Sequence, residues 1–197
     1  GTSGDFLKTQ GTGANPVWAG ASSDFVKLLS TSASASASIA IDGYFTTDYD
    51  RYMLFLGGCF FSAHNDSVFS LRYNYGGAAL TGSNYVNMFE SHQKVSGSIS
   101  ERQLSEWNND KISLGYCSNA VTHPAVFQCT IWDPLNTTSY KLITTNGVGY
   151  GTTSGISVGG GCCAWIVDTN PISGITLYSE NGADVTVSKI VLYGLKD

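Results

Sequence analysis

Apolar and polar residues alternate along many stretches of this chain with the period of a β-strand. In SVFSLRYNY (67–75), Phe69, Leu71 and Tyr73 share one parity, while Ser70 and Arg72 share the other. Successive side chains of a strand point to opposite faces, so this alternation predicts a strand with one buried face. Further strands are predicted at 111–118, 125–133, 139–146, 155–167, 174–179 and 185–194.

Turn-forming residues separate these predicted strands. The breaks include DPLNTTS, TNPIS and SENGAD, in which Asp-Pro, Asn-Pro and Asn-Gly pairs favour tight turns. Many short strands joined by such turns predict an all-β fold, an antiparallel β-sandwich of jelly-roll type. We expect an extended N-terminal arm at 1–29 and a sandwich domain at 30–197.

Two predicted strands carry apolar residues on both parities. RYMLFLGGCFFSA (51–63) is nearly continuous in apolar residues apart from Gly57 and Gly58. In VTVSKIVLYG (185–194), Val191 belongs to one parity and Leu192 to the other. This pattern is typical of strands covered on both faces. The C-terminal strand is therefore predicted to be structural, and its deletion is expected to unfold the domain.

Three segments have a less certain pattern. Ser and Ala alternate strictly in STSASASASIAID (30–42), which favours a strand whose small side chains allow close approach by another surface, or else a low-complexity linker. SERQLSEWNND (100–110) is the one helix-like segment, with Ser100 as its cap. Residues 1–20 contain Phe6, Leu7, Val17 and Trp18, which predict a short strand near Trp18 and packing against a neighbouring subunit, or else a disordered end.

Composition narrows the functional classes. Charged residues make up 13% of the 197 residues and the net charge is −5, with no run of Lys or Arg, so nucleic-acid binding is not expected. No apolar stretch is long enough to span a membrane, so no membrane insertion is expected. The chain does not begin with Met, which indicates a fragment or a processed chain. Five cysteines, an odd number, favour buried thiols in a chain assembled in a reducing cytosol.

Catalytic and metal-binding patterns are weak. His64 and Asp66 stand two residues apart, but two ligands make a poor metal site. No G-x-S-x-G elbow and no phosphate-binding loop occur. Four acidic residues that a glycosidase could use fall in one polar stretch, where a charged surface loop is the simpler interpretation: Glu90, Glu101, Glu106 and Asp110. We therefore expect no enzyme activity, no cofactor and no metal.

Aromatic residues are the remaining candidates for ligand binding. Tyr73, Tyr75, Tyr85 and Trp107 lie in or near turns rich in Gly and Asn, where their rings could stack on a sugar or anchor a protein. Core packing is the competing interpretation for each of them. Trp132 and Trp165 lie within apolar strands and are predicted to be core residues.

Several motifs together resemble a known family. The ending ISGITLYSENGADVTVSKIVLYGLK resembles the last hairpin of jelly-roll domains in bacteriophage tail fibres and minor tail proteins. The segment IDGYFTTDYDRYMLFLGG (41–58) is similar to an early strand of such domains, and TIWDPLNTTSYKLIT to a middle strand–turn–strand. GDFLKTQGTGANPVWAG resembles the linker that precedes C-terminal fibre domains. Residues 91–111 match nothing shared.

The resemblance implies a non-enzymatic homotrimer within a virion, assembled in the host cytoplasm beside other virion proteins. The expected function is multivalent attachment to a glycan or an outer-membrane protein of the host cell, in which several weak sites gain avidity together. Two alternatives stay open. One is a head-fibre, capsid-decoration or tail-scaffold protein without receptor binding, and the other is a carbohydrate-binding module of a secreted enzyme.

Overall fold

The structure is a computed structural model that describes residues 2, 5–20, 24–64, 67–95, 97–151, 155–166 and 169–196, some of them by their backbone alone. These residues form β-strands and no helix, which confirms the all-β class. The strands are β1 (Asp5–Lys8), β2 (Val17–Gly20), β3 (Phe25–Ser36), β4 (Ser38–Asp42), β5 (Arg51–Phe61), β6 (Ser67–Tyr75), β7 (Ala78–Ala79), β8 (Tyr85–Val95), β9 (Ser98–Asn109), β10 (Ile112–Cys117), β11 (Ala125–Trp132), β12 (Lys141–Gly151), β13 (Gly155–Ile166), β14 (Gly174–Ser179) and β15 (Val185–Leu195).

The strands form two main antiparallel sheets and a separate hairpin. The large sheet has eight strands in the order β3-β15-β5-β11-β12-β13-β8-β9. The small sheet has five, in the order β10-β6-β14-β4 with β7 paired to β6. The hairpin consists of β1 and β2. The predicted antiparallel β-sandwich is confirmed, whereas its jelly-roll topology stays a prediction.

One hydrophobic core fills the space between the two main sheets. Leu54 and Ile131 of the large sheet and Leu71 and Leu177 of the small sheet belong to it and are fully buried. Phe69 of the small sheet meets Phe127 of the large sheet with ring centroids 5.7 Å apart. The alternating parities predicted from the sequence are therefore the inward-facing rows of the two sheets.

The face that β5 buries changes part-way along the strand. Cys59 and Phe61 are buried at its end, whereas Leu54 and Leu56, of the opposite parity, are buried before it. The switch falls at Gly57–Gly58, where the register with β11 shifts between Ala125 and Val126. Gly58 has φ +67, and a Cβ on it would lie 2.6 Å from Ser188 Oγ, so glycine makes the bulge possible. The apolar run of β5 thus reflects a change of buried face, and the prediction that both faces are covered throughout is wrong.

The C-terminal strand is confirmed as a central strand. β15 lies between β3 and β5, and residues of both parities in it, Ile190, Val191 and Leu192, are buried. The Ser/Ala segment is strand as predicted, but it divides at Ala37 into β3 of the large sheet and β4 of the small sheet. β3 begins at Phe25, within the segment predicted to be the arm. The boundary between arm and domain at residue 29 stays a prediction.

The predicted helix at 100–110 is wrong. Residues 98–109 form β9, which pairs with β8 along nearly its whole length, from Lys94↔Ile99 to Tyr85↔Asn109. The segment that forms β8 is also not among the strands predicted from the sequence. β13 presents an open edge to β8, and β8 in turn to β9, so ladder hydrogen bonds override the weak local helix preference. As the last strand of the large sheet, polar β9 suits an edge that must not pair further.

Three of the five cysteines are confirmed as buried: Cys59, Cys117 and Cys129. Burial raises the pKa of the Cys59 thiol to about 12. The pKa of Cys117 is also raised, chiefly by burial and further by its neighbour Cys59. Such thiols are unreactive at neutral pH, which agrees with a packing role. The side chains of Cys162 and Cys163 lie outside the described part.

Candidate binding surfaces

The structure corrects the assignment of Tyr73 and Tyr85 as ligand-binding residues. Both side chains are fully buried, and their rings stack with centroids 6.2 Å apart. The Tyr85 hydroxyl donates to the carbonyl of Leu80 at 3.0 Å and accepts from the N–H of Tyr73 at 2.9 Å. Burial raises the pKa of Tyr85 well above its usual value of 10.0. These tyrosines fasten the β6–β7 hairpin to the core instead of stacking on a ligand.

Tyr75 is the one candidate that the structure places at an accessible position. Its side chain is 47% exposed where β6 turns into β7 through Gly76 and Gly77, which have φ of +58 and +83. Such a two-residue turn needs glycine or asparagine. Asp42 approaches the same turn, since its Oδ2 lies 3.5 Å from the position of a Cβ on Gly77. The other carboxylate oxygen of Asp42 has no hydrogen-bond partner among the described residues.

The remaining aromatic predictions have mixed outcomes. Trp107 belongs to β9, but its side chain lies outside the described part, as does that of Trp165. Trp132 was predicted to be core, and this is wrong because its side chain is 41% exposed. Its ring faces solvent on the outer side of β11, where the Arg51 guanidinium lies 5.1 Å from its centroid. A cation above an exposed indole stabilises that arrangement modestly.

The outer face of the large sheet carries a row of apolar side chains that no other described element covers. Val126 of β11, Val148 of β12 and Val158 of β13 are directly paired across the strands and are 49%, 42% and 46% exposed. We call these three residues the valine ladder. They form the floor of an open groove with a volume of about 1000 Å³. A continuous apolar surface of this kind is typical of a site that contacts another molecule.

The walls of the groove are aromatic on one side and polar at one end. The Tyr193 ring meets Phe55 at 6.0 Å and Phe25 at 6.4 Å, both edge to face. Gly57 lies between Lys189 and Val126 in the same cross-strand row, and its missing side chain deepens the groove there. Lys189 is the only charged residue among those that line the groove. The site therefore suits an apolar partner that carries a negative charge near one end.

Sequence reasoning missed the groove, although part of the signal was present. Residues of both parities are apolar in 51–63. In β11, the outward-pointing Val126 is also apolar, like its inward-pointing neighbours Ala125 and Phe127. An apolar residue on the outward parity has two interpretations, a second covering layer or an exposed binding face. Only the strand register, which places the three valines side by side, decides for the second.

Two other described cations, Arg72 and Lys111, make structural contacts at the start of β10. Arg72 donates from Nε to the carbonyl of Asp110 at 2.8 Å and also pairs with the Asp110 carboxylate. Its guanidinium lies 4.4 Å from the centre of the Tyr178 ring. Lys111 forms an ion pair with Glu180 at 2.8 Å. Burial raises the pKa of Tyr178 to about 12, although Arg72 opposes the shift. These contacts tie the start of β10 to β6 and β14.

A fully buried cation, Lys141, belongs to the turn between β11 and β12. The side chain of Lys141 is fully buried, and its Nζ donates to the carbonyls of Asn136, Ser139 at 3.0 Å and Thr169 at 3.3 Å. Carbonyl oxygens replace the water that the ammonium group loses on burial. Lys141 thereby organises the turn that the sequence predicted from DPLNTTS, and it is not accessible to a ligand.

The structure describes the surroundings of three of the four acidic residues considered for catalysis. Asp110 is paired with Arg72 and lies 3.6 Å from Lys111. Glu101 faces His92 at 3.9 Å, and both are exposed. Glu90 lies opposite Gln103, and the side chain of Glu106 lies outside the described part.

One further site prediction falls partly outside the described chain. Asp66 is not described, so the pair with His64 is untested. Among the described residues, no three His, Cys, Asp or Glu side chains gather as a metal site would require. The structure also shows, in the part it describes, no helix with the length and apolarity needed to cross a bilayer.

No protein-family model, curated protein or solved structure matches this chain.

Proposed function

We propose that this chain is a binding and assembly module of a virion, of the tail-fibre type, that attaches multivalently to the host cell surface. The observation that carries the proposal is the open groove above the valine ladder. The large sheet leaves a continuous apolar face uncovered, while the described buried cations are paired with carboxylates or bound by carbonyl oxygens. Such an apolar face is suited to protein contacts.

The strand order supports the jelly-roll part of the proposal. The chain crosses repeatedly from the small sheet to the large sheet, from β4 to β5, from β7 to β8, from β10 to β11 and from β14 to β15, while β8–β9 and β11–β12–β13 follow one another within the large sheet. Jelly rolls are double sheets with repeated crossings of this kind. The resemblance of the C-terminal hairpin to tail-fibre domains points the same way.

Tyr75 is the residue that we propose for receptor contact. Its exposed ring offers an apolar face, and the Oδ2 atom of Asp42 lies at the same turn, whereas Oδ1 is buried. A ring beside hydrogen-bond acceptors suits a glycan, whose faces are apolar and whose edges carry hydroxyl donors. A trimer would present three such sites, which bind together with much higher avidity than one.

The proposal is tested by adsorption of the fluorescently labelled chain to a panel of bacterial strains and to their purified surface polysaccharides. We expect adsorption to at least one strain, and a loss of about 10-fold or more in affinity for Tyr75→Ala. Tyr140→Ala is the matched control, because Tyr140 is a similarly exposed tyrosine in another loop. Adsorption to no strain, or equal loss in both variants, would contradict the receptor assignment.

A head-fibre, capsid-decoration or tail-scaffold role is the second candidate. The groove favours it, because an apolar face is also what a permanent neighbour in a particle covers. Antibody labelling of intact virions distinguishes the two. Attachment requires the Tyr75 turn to be accessible at the outer end of a fibre, whereas a decoration protein is labelled along the head or tail body.

A carbohydrate-binding module of a secreted enzyme is the third candidate, which the exposed ring of Tyr75 favours. That module would bind sugar as a monomer. The solution mass therefore separates it from both virion roles.

A further inference from the structure

The β1–β2 hairpin is a second apolar surface that the chain leaves open. Leu7 and Trp18 are direct cross-strand partners and so share one face of the hairpin. The side chain of Leu7 is 56% exposed and that of Trp18 is 59% exposed. Tryptophan has a large apolar surface, so it is the most costly apolar side chain to leave in water. Asp5 lies two residues from Leu7 and therefore on the same face. This face, Asp5 with Leu7 and Trp18, is called the arm face below.

The arm face and the groove complement one another in size and charge. A strand of four residues is about 13 Å long, and the row from Gly57 across to Val158 spans three strand spacings, about 14 Å. The arm face offers two large apolar side chains and a carboxylate. The groove offers the valine ladder, an aromatic wall and the ammonium of Lys189.

We propose that the arm face of one copy docks in the groove of a second copy of this chain. Both surfaces are exposed in the described part of the chain, so no described residue covers the groove. The inference rests on the assembly of several copies in the proposed function, and it names the contact that holds them. In the docked arrangement Leu7 and Trp18 lie over the valine ladder, and Asp5 pairs with Lys189.

The area of this contact favours a closed ring over a simple dimer. An aromatic side chain carries about 150–250 Å², so one arm-to-groove contact buries on the order of 600 Å² in total, less than the ~1,200 Å² of a stable interface. The contact joins two different surfaces and is therefore heterologous, which generates rings or filaments. In a ring every chain makes the contact twice, once with its arm and once with its groove. A ring of three matches the expected trimer.

The decisive experiment is complementation between two defective variants, followed by light scattering after size exclusion. Trp18→Asp removes the arm face and keeps the groove, and Val148→Asp removes the groove and keeps the arm. We expect the wild type at the mass of three chains and each variant alone at the mass of one. A mixture at high concentration should form a complex of two chains, because one good arm meets one good groove and the ring cannot close.

Controls separate assembly from folding. Val121→Asp places the same charge on an exposed valine outside the groove and should leave the trimer intact. Val126→Lys is the second groove variant, used if Val148→Asp does not reach the wild-type circular dichroism spectrum. Asp5→Lys and Lys189→Asp should each weaken the trimer, and the double variant should restore it.

Each outcome decides the proposal. A wild type that stays at one chain, variants that remain trimeric, or a mixture without a two-chain species would overturn it, and docking of the arm on its own groove would give the first of these results. Receptor attachment is read separately by cell adsorption. Trimers that assemble as described but bind no cell would contradict only the proposed attachment, and a monomer that adsorbs would contradict the docking and the multivalent form of the attachment.

Discussion

The two faces of the large sheet carry similar apolar residues, but one face is buried and the other is partly exposed to solvent. On β11, Phe127, Cys129 and Ile131 point inward and are buried against the small sheet, whereas Val126 and Trp132 point outward and are about half exposed. The inner face obtains its stabilisation from apolar area removed from water. The outer face leaves Val126 and Trp132 about half in water, so these residues contribute less to the fold of one chain. This difference is the basis of the proposal that the outer face serves binding.

Deletion of residues 185–197 should have the largest effect. It removes β15 from between β3 and β5 and with it the buried Val187, Ile190 and Leu192. We expect loss of the cooperative melting transition and an insoluble product, since the edges of two strands and the core are exposed together. Deletion of residues 1–20 is the matched control and should keep a cooperative transition. Unchanged melting after the C-terminal deletion would show that β15 is not needed for folding.

Substitutions on β11 compare the two faces directly. Ile131→Ala on the inner face should lower the free energy of unfolding by about 2–5 kcal/mol, because it leaves a cavity in the core. Val126→Ala on the outer face should change the stability of the isolated chain by about 0.5 kcal/mol or less. Urea denaturation of both variants, at a concentration where the chain is monomeric, measures the two values. Equal losses would mean that the outer face is covered within one chain.

Tyr85→Phe should lower the free energy of unfolding by about 1–3 kcal/mol, because it leaves the buried N–H of Tyr73 without its acceptor. The exposed Tyr140→Phe is the control and should be neutral. Thermal and urea unfolding measure the difference. A neutral Tyr85→Phe would show that the hydroxyl does not fasten the hairpin.

The buried thiol of Cys59 should make the free energy of unfolding depend on pH only at alkaline pH. The Cys59 pKa lies at about 12 in the folded chain against an ordinary value of 9.0, because burial disfavours the thiolate. Below pH 9 the thiol is neutral in both the folded and the unfolded chain, so its full contribution to the free energy of unfolding is present. As the pH rises from 9 to 12, only the unfolded chain ionises, so stability is lost by at most about 1.4 kcal/mol per pH unit.

Urea titrations between pH 7 and 11 measure this loss. Cys59→Ala should make the alkaline slope shallower. In the native wild type, the thiol should also resist disulfide reagents until the chain unfolds. A fast reaction at pH 8 without unfolding would contradict the burial of Cys59.

Local pattern predicted most of the inner face of the sandwich. β6, β11 and β14 alternate or run apolar between clear turns, so their strands and buried parity follow from the sequence. β8 and β9 do not, because they are rich in polar residues, and their strand state depends on the pairing of β8 with β13 and of β9 with β8. The burial of Tyr73 and Tyr85 beside glycine-rich turns was missed for a related reason, since their position depends on contacts between strands.

The outer face could not be predicted in the same way. Alternation indicates on which face of its own strand each of Val126, Val148 and Val158 lies. It does not show that the three residues lie in one row. That row depends on the registers of β11, β12 and β13, which involve residues far apart in the chain. The groove is therefore a property of the tertiary structure, and the exposed Trp132 belongs to the same outer face.

The solution mass of the wild-type chain tests the central claim most directly. Light scattering after size exclusion, across micromolar concentrations, should show three chains if the outer face of the large sheet serves assembly. A trimer that dissociates on Trp18→Asp would confirm that the arm holds it. A single-chain mass at every concentration would contradict the account and favour the monomeric carbohydrate-binding module.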